Sequence, residues 1–484
     1  MPCPVLRIVL SACIISNVFT AAAQITFTDE RFVTGPLPTN VVSGDFNHDG
    51  LPDFAVTDEQ AGSVTILLGV GGGQFAFAAQ ISTGLNPTQI VTGDFNHDGK
   101  LDLAVALSQA DAVAILLGNG DGTFRQGISI ALDGNPYALA AADFNRDGIP
   151  DLAVLEHSPA NTFTLKILRA NGDGTFTRTQ AIPLPRAPVF SGLLVSDDFN
   201  IDGLPDLAVA TDTTVMVFTD SSNGTLRFHS TVTPPKTASI VGLASGRLTR
   251  GAAPDLVVRV FDNVNETNSP NSEYVFLNSG SGTFHLRSRV PASSFGGSVY
   301  VADIDGDGLA DLVSVGGNFR NPGIDIANGH GDGTFGAPIA VPNVDLIGNL
   351  GGLIARDLNL DSRHDLAVAA IQGLGTGDEA THVLVNQNAR TNCVPPGSAT
   401  LAVRICTPAA NAGVRSTFTV QAAGNSPAGV KRMELWVDGV KRAQNFSDQL
   451  RATIRLSLGT HRVTVIGVDV YDSSVKMPIF VHVF

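Results

Sequence analysis

Five nine-residue runs in this 484-residue sequence place oxygen-bearing side chains at positions 1, 3, 5 and 9. They are Asp45, Asn47, Asp49 and Asp53; Asp94, Asn96, Asp98 and Asp102; Asp143, Asn145, Asp147 and Asp151; Asp198, Asn200, Asp202 and Asp206; and Asp303, Asp305, Asp307 and Asp311. Side chains at this spacing can converge on one hard cation, and glycine at position 6 permits the sharp turn. The backbone carbonyl of position 7 offers a further oxygen, from Leu51, Lys100, Ile149, Leu204 or Leu309. An all-oxygen set suits Ca2+, whereas Mg2+ resists so extensive a dehydration. The expected chemistry is calcium binding at five sites, tightest at the four-carboxylate run from Asp303.

A sixth run keeps Asp357, Asn359, Asp361 and Asp365 but has Ser362 where glycine belongs, a conformational penalty that leaves this site open. A seventh copy, Gly246–Val258, keeps only Asp255 and is expected to bind nothing. His48 and His97 stand at position 4 and are expected to face solvent. One such loop could be a simple solvated turn. Recurrence with the spacing intact argues for a common ion-binding role instead.

The elements that must carry these loops follow from the period. The ninth-position aspartates fall at 53, 102, 151, 206, 255, 311 and 365, spaced by 49, 49, 55, 49, 56 and 54 residues. One motif per unit of about 50 residues signals a propeller or a similar array. Each unit runs apolar approach, acidic loop, short apolar run, second apolar run, Gly-rich turn ("NGDGTF" at Asn119 and Asn171) and a last alternating stretch. Short runs bounded by turn residues read as strands, four per unit. The seventh unit ends at "HVLVNQNA" without its last strand, and "ITFTDERFVTG" near the N-terminus has the pattern to replace it. Seven units and a complementary end strand predict a closed seven-bladed ring with no free sheet edge.

After "CVPPG" the repeat stops, and alternating segments from residue 399 read as the six or seven strands of an Ig-like β-sandwich. Asp438-Gly439 marks a hairpin, and Trp436 is expected in the core, with a ligand platform the alternative. The predicted fold is all-β: residues 1–23 a signal peptide, 24–390 the propeller, 391–398 a linker and 399–484 the sandwich. The first segment has one basic residue, Arg7, an apolar stretch and the ending Ala21-Ala22-Ala23, which predicts export with cleavage near Ala23. Leu10-Ser11-Ala12-Cys13 resembles a lipobox, but the apolar run before it is short. With Cys3 and Cys13 removed, Cys393 and Cys406 remain, and an oxidising compartment makes a disulfide between them the expectation. Localisation is therefore expected to be secreted, cell-surface or periplasmic. The net charge of −15 disfavours nucleic acid and anionic lipid as partners and favours cations.

Blades with this acidic loop and "GDGTF"-type turns resemble FG-GAP repeats, also called VCBS-type repeats, as in integrin α-subunit propellers and many exported bacterial proteins; the C-terminal part resembles bacterial Ig-like modules. The resemblance implies that the loops are structural, that they lie at one face of the ring and that ligands approach the other. There the connections vary most, with Phe261–Glu273 and Ile371–His382 long and "GGNFRNPG" from Gly316 a third candidate loop. The expected function is binding or adhesion to an extracellular glycan, matrix component or surface protein. Polysaccharide lyases on similar propellers make an enzyme the rival, and a purely structural module is a third reading. No nucleophile motif, His cluster or phosphate loop supports catalysis. Tyr137, Tyr274 and Tyr300 alone make a thin aromatic platform in the propeller.

Overall fold

The computed structural model describes residues 27–483 except 161, 186–192, 222–223, 236–238, 262–271, 293–296, 319–320, 342–348, 360–363, 372–379, 387–400, 408–411, 415–416, 427–429, 447–448 and 472. The signal-peptide, lipobox and linker expectations, and Cys393, lie outside the described residues, as does the Cys406 side chain. No helix occurs among the described residues, so none is long and apolar enough to cross a membrane.

Between Phe27 and Asn386, 28 strands form seven four-stranded antiparallel sheets. In the first, Pro38–Gly44, Asp53–Asp58, Ser63–Gly71 and Gln74–Ser82 pair in chain order, and the next five sheets repeat that order. The last joins Asn349–Arg356, Asp365–Ile371 and Ala380–Asn386 to the N-terminal strand Phe27–Val33. That strand runs antiparallel to Ala380–Asn386, from Phe27↔Asn386 to Val33↔Ala380. It supplies the outer strand that the seventh unit lacks.

The period of two along each second strand explains how the sheets stack. In Asp102–Leu107, Leu103 and Val105 enter one apolar cluster with Ala55 and Ile66 of the preceding sheet. Ala104 and Ala106, facing the other way, join Leu152 and Val154 of the following sheet. The same exchange recurs around the array, and Phe54 and Val56 meet Ala367 and Val383 where the last sheet meets the first. The first strands of successive sheets touch, and Asn349–Arg356 returns to Pro38–Gly44. Fully burying one Val, Leu or Phe side chain contributes about 1.5–3 kcal/mol, so stability is spread over the seams between sheets. A cavity of about 600 Å³ is lined by first strands of all seven sheets, among them Asn40, Gln89, Leu139, Ser196, Ser245, Tyr300 and Gly352.

"GGNFRNPG" is a correction. Gly316–Asn318 pairs with Asn321–Gly323 within strands Asp311–Asn318 and Asn321–Ala327, so most of the expected loop is a strand-paired hairpin. The other two candidate loops fall largely on residues 262–271 and 372–379, outside the described residues.

At the end of the first sheet away from its acidic loop, Asp58 is fully buried and accepts hydrogen bonds from Thr65 Oγ1 (2.6 Å) and Ser63 Oγ (3.4 Å). Burial pushes its pKa up to about 6, against those bonds. The folded chain therefore binds this proton more tightly than the unfolded chain, whose aspartates titrate near 3.9. Stability from this group is fully present below about pH 4 and is lost as pH rises to about 6. Asp58→Asn should flatten that part of the pH–stability curve by up to about 3 kcal/mol, measured by urea unfolding at fixed calcium between pH 4 and pH 7. A curve of unchanged slope would refute the assignment.

Among the described residues the C-terminal part holds eight strands rather than six or seven. Ala402–Thr407, Thr417–Asn425 and Gln449–Arg455 form a three-stranded sheet. Ala412–Val414, Ser474–Val483, Gly459–Asp469, Val430–Val437 and Val440–Asn445 form a five-stranded one. The short Ala412–Val414, parallel to Ser474–Val483, is too brief to leave an alternating pattern. Val420 and Ala422 from one sheet pack with Met433, Leu435, Val463 and Val481 from the other. Asp438 (φ 49°) and Gly439 (φ 81°) make the predicted hairpin. Trp436 corrects a second expectation. The core takes Met433, Leu435 and Val437, so strand alternation puts Trp436 on the outer face with Arg432 and Glu434.

Candidate metal centres

Each acidic loop joins the first strand of a sheet to its second. In the first copy, the Asp45 carboxylate accepts the N–H of Asp49 (3.1 Å) and of Gly50 (3.0 Å). Asn47 Oδ1 also accepts Asp49 N–H (3.0 Å), and Asp49 Oδ1 accepts Leu51 N–H (2.8 Å). The loops at Asp94, Asp143 and Asp198 repeat these bonds with their own residues. Positions 1, 3 and 5 are thereby curled over the loop's own backbone. The predicted glycine at position 6 has φ near +84° in the first copy. Position 4 also adopts positive φ, at His48, His97, Arg146 and Ile201, which the spacing argument missed. His48 and His97 are exposed, as expected.

The loop from Asp303 has Gly306 at position 4 and is the most anionic. Asp303, Asp305 and Asp311 offer carboxylate oxygens that all lie within 4.8 Å of one another, a group that could hold a metal ion. Asp307 is not part of that group; its Oδ1 accepts Leu309 N–H (2.8 Å). The donors are all oxygen and carry negative charge, which fits a hard cation. In the sixth candidate, Asp357 and Asn359 are described, whereas Asp361 and Ser362 are not.

The ninth position has a second role that sequence reading did not find. Asp53, Asp102, Asp151, Asp206, Asp255, Asp311 and Asp365 each open the second strand of a sheet and are all at most 2% exposed. Asp53 Oδ2 accepts Phe46 N–H (2.7 Å) inside the loop, and its Oδ1 accepts Gly69 N–H (2.8 Å) on the third strand. The equivalent bond from the third-strand side comes from Gly118, Ala170, Asp220, Asn278, Gly329 and Asn386. Asp255, the survivor in the degraded copy, makes both bonds, to Leu248 N–H (3.1 Å) and Asn278 N–H (2.9 Å). It persists as a buried clamp where the rest of the loop is lost. Burial raises the Asp53 and Asp102 carboxyls to about 6 and Asp206 to about 7, with the backbone N–H bonds opposing and nearby loop aspartates adding to the rise.

Position 2 ties the loop to the neighbouring sheet. Phe46, Phe95 and Phe199 are buried and meet Phe124, Phe176 and Phe284 edge-on, with ring centroids 5.4–5.6 Å apart. Each partner follows the Gly-rich hairpin of the next unit. Gly122 N–H bonds Phe46 O (3.0 Å), and Gly282 N–H bonds Phe199 O (2.9 Å). The "GDGTF" turn is thus a latch onto the preceding acidic loop. Its own Asp121 is engaged by the backbone N–H and hydroxyl of Thr123.

An FG-GAP-like repeat model matches residues 45–105, 104–154 and 253–314, and a bacterial Ig domain model matches 402–465. No curated protein matches the chain. Similar solved structures include BBS1N, crystallised in complex with ARL6DN and soaked with lead: TM-score 0.51, 13% identity, 76% of this chain and 99% of that one. The periplasmic gluconolactonase PpgL of Pseudomonas aeruginosa has TM-score 0.48 and 16% identity over 66% of this chain and 90% of that one. A Lactobacillus plantarum protein has TM-score 0.47 and 13% identity over 64% and 87%. Such identities speak to fold alone. The repeated four-stranded sheets and the C-terminal sandwich agree with both family models: the chain carries FG-GAP-like repeats followed by a bacterial Ig domain.

Proposed function

We propose that this is an exported, calcium-stabilised binding protein, its seven sheets the blades of one closed propeller whose face opposite the acidic loops engages an extracellular glycan or protein. The observation that carries this reading is the loop geometry. Five copies wrap acidic and amide oxygens over a tight turn, and the ninth aspartate and position 2 build that turn into the sheet seams. Ca2+ would be held by the side chains at positions 1, 3, 5 and 9 and would stiffen the scaffold. Repetition of this kind serves a scaffold, because a reaction needs one site and not five. The central cavity wall is built from neutral side chains among the described residues, which supports binding over acid–base chemistry. Extracellular-type repeats and the Ig domain support an exported location.

Function on a rigid scaffold resides in variable connections, and on the face opposite the acidic loops the longest joins Asp255–Phe261 to Ser272–Asn278. The test is an array of glycans and matrix proteins probed with the intact chain in calcium, then with a variant lacking Asn263–Asn271. Binding to a specific ligand should fall at least about tenfold on excision, the loss of a central contact. Full retention would remove this loop from the binding face.

A further inference from the structure

Charge is segregated along the chain. Residues 24–390 carry 19 Lys and Arg against 40 Asp and Glu, a net −21, while residues 399–484 carry 10 against 5, a net +5. The basic part is the sandwich, and its outer five-stranded face shows an unusual arrangement. Trp436 lies on Val430–Val437, beside the central strand Gly459–Asp469 and opposite its Thr464, which in turn lies opposite Pro478. Arg462 pairs in register with Phe480, and Ile466 with Lys476, on the same face. Phe480 is half exposed, and Pro478, Arg462 and Lys476 are exposed.

Trp436 Nε1–H donates to Glu434 Oε2 (2.9 Å), two residues back on the same strand face. This bond satisfies the one polar group of the indole, and the Trp436 side chain is partly exposed. Glu434 is further engaged by Arg432 (2.9 Å) and Lys441 (3.3 Å), so the one acidic group beside the ring is neutralised. Among the described residues no carboxylate pairs with Arg462 or Lys476 within 4 Å. The result is an aromatic shelf about 10 Å across, two strand spacings, rimmed by cations.

We propose that this face binds a chain of acidic polysaccharide. The apolar C–H face of a pyranose packs on the electron-rich face of an indole, while carboxylate or sulfate groups along the chain reach Arg462 and Lys476. A folded partner is the poorer fit, because a stable protein interface covers about 800 Å² on each side and this shelf is smaller. The site is separate from the loop face of the propeller and goes beyond that reading.

The test uses the full chain with calcium, immobilised hyaluronan and chondroitin sulfate as acidic probes, and dextran as the neutral one. Binding to the acidic probes, absent for dextran and weakening with added salt, is expected. Trp436→Ala and the double variant Arg462→Ala/Lys476→Ala should each weaken it about tenfold or more, with melting temperatures confirming the fold. Arg455→Ala, on the other sheet, and excision of Asn263–Asn271 should leave it unchanged. Equal binding to dextran, no acidic-glycan binding, or undiminished binding by both face variants would overturn the proposal. So would self-association abolished by Arg462→Ala/Lys476→Ala without any glycan binding, which would make the face an interface between copies. Loss of thermal response to EDTA would refute the calcium reading and leave this one standing.

Discussion

Removing divalent cations with EDTA should lower the melting temperature of the protein, and excess Ca2+ should restore it. Each complete loop gathers three or four side-chain oxygens over one turn, and at neutral pH its carboxylates repel one another. A ligand bound only by the native state stabilises it by about 2.7 kcal/mol per site at a hundredfold excess over Kd. Several such sites acting together predict a shift on the order of 10 °C or more. Asp305→Asn should remove part of that shift, because Asp305 belongs to the group whose carboxylate oxygens lie within 4.8 Å of one another. Mg2+ should restore less than Ca2+, for it gives up its waters reluctantly. Differential scanning calorimetry with elemental analysis checks this. An identical melt in EDTA, with no Ca2+ in the purified protein, would end the calcium reading.

The second large effect needs no ion. Asp255→Ala should cost about 2–6 kcal/mol, since Leu248 N–H and Asn278 N–H each lose a buried acceptor worth about 1–3 kcal/mol. Asp255→Asn should also destabilise, because the amide replaces one acceptor oxygen with a donor facing a backbone N–H. The cost should be the same in calcium and in EDTA, for this copy has no other carboxylate or amide side chain. Asp49→Ala, at an exposed loop position, should behave oppositely: a marked loss in calcium and little in EDTA. Chemical denaturation of both variants under both conditions separates clamp from ligand. A calcium-dependent cost at Asp255 would contradict the clamp.

These contrasts show where legibility stopped. The 1-3-5-9 spacing is a local pattern, so it announced the loops and their count directly. The clamp role of the ninth aspartate went unread because its second partner lies 14–23 residues away on the third strand. No local spacing reveals such a bond. Its survival at Asp255, after every other acidic residue of that copy was lost, was the one sequence signal that could have exposed it. The Phe after each first aspartate, paired with the Phe of the next "GTF", was likewise visible as a repeated residue but not as a contact between sheets.

Trp436 was misassigned for a different reason. A lone tryptophan in a sandwich sequence suggests core, yet Met433, Leu435 and Val437 already fill the inward positions of that strand, and the alternation was available to read. "GGNFRNPG" stood among the variable connections as a candidate loop, and cross-strand pairing makes most of it a hairpin.

By itself the sequence determined the all-β class, the unit of four strands, the N-terminal strand that completes the last sheet and the positions of the acidic loops. All of these follow from short-range periodicity and turn chemistry, which are written into neighbouring residues. The tertiary structure alone decided which oxygens are held by backbone, which loops are latched by the next sheet and which cations from neighbouring strands share the outer sandwich face with Trp436. Those depend on residues far apart in the chain being brought close to one another, and only the packed sheets set such distances.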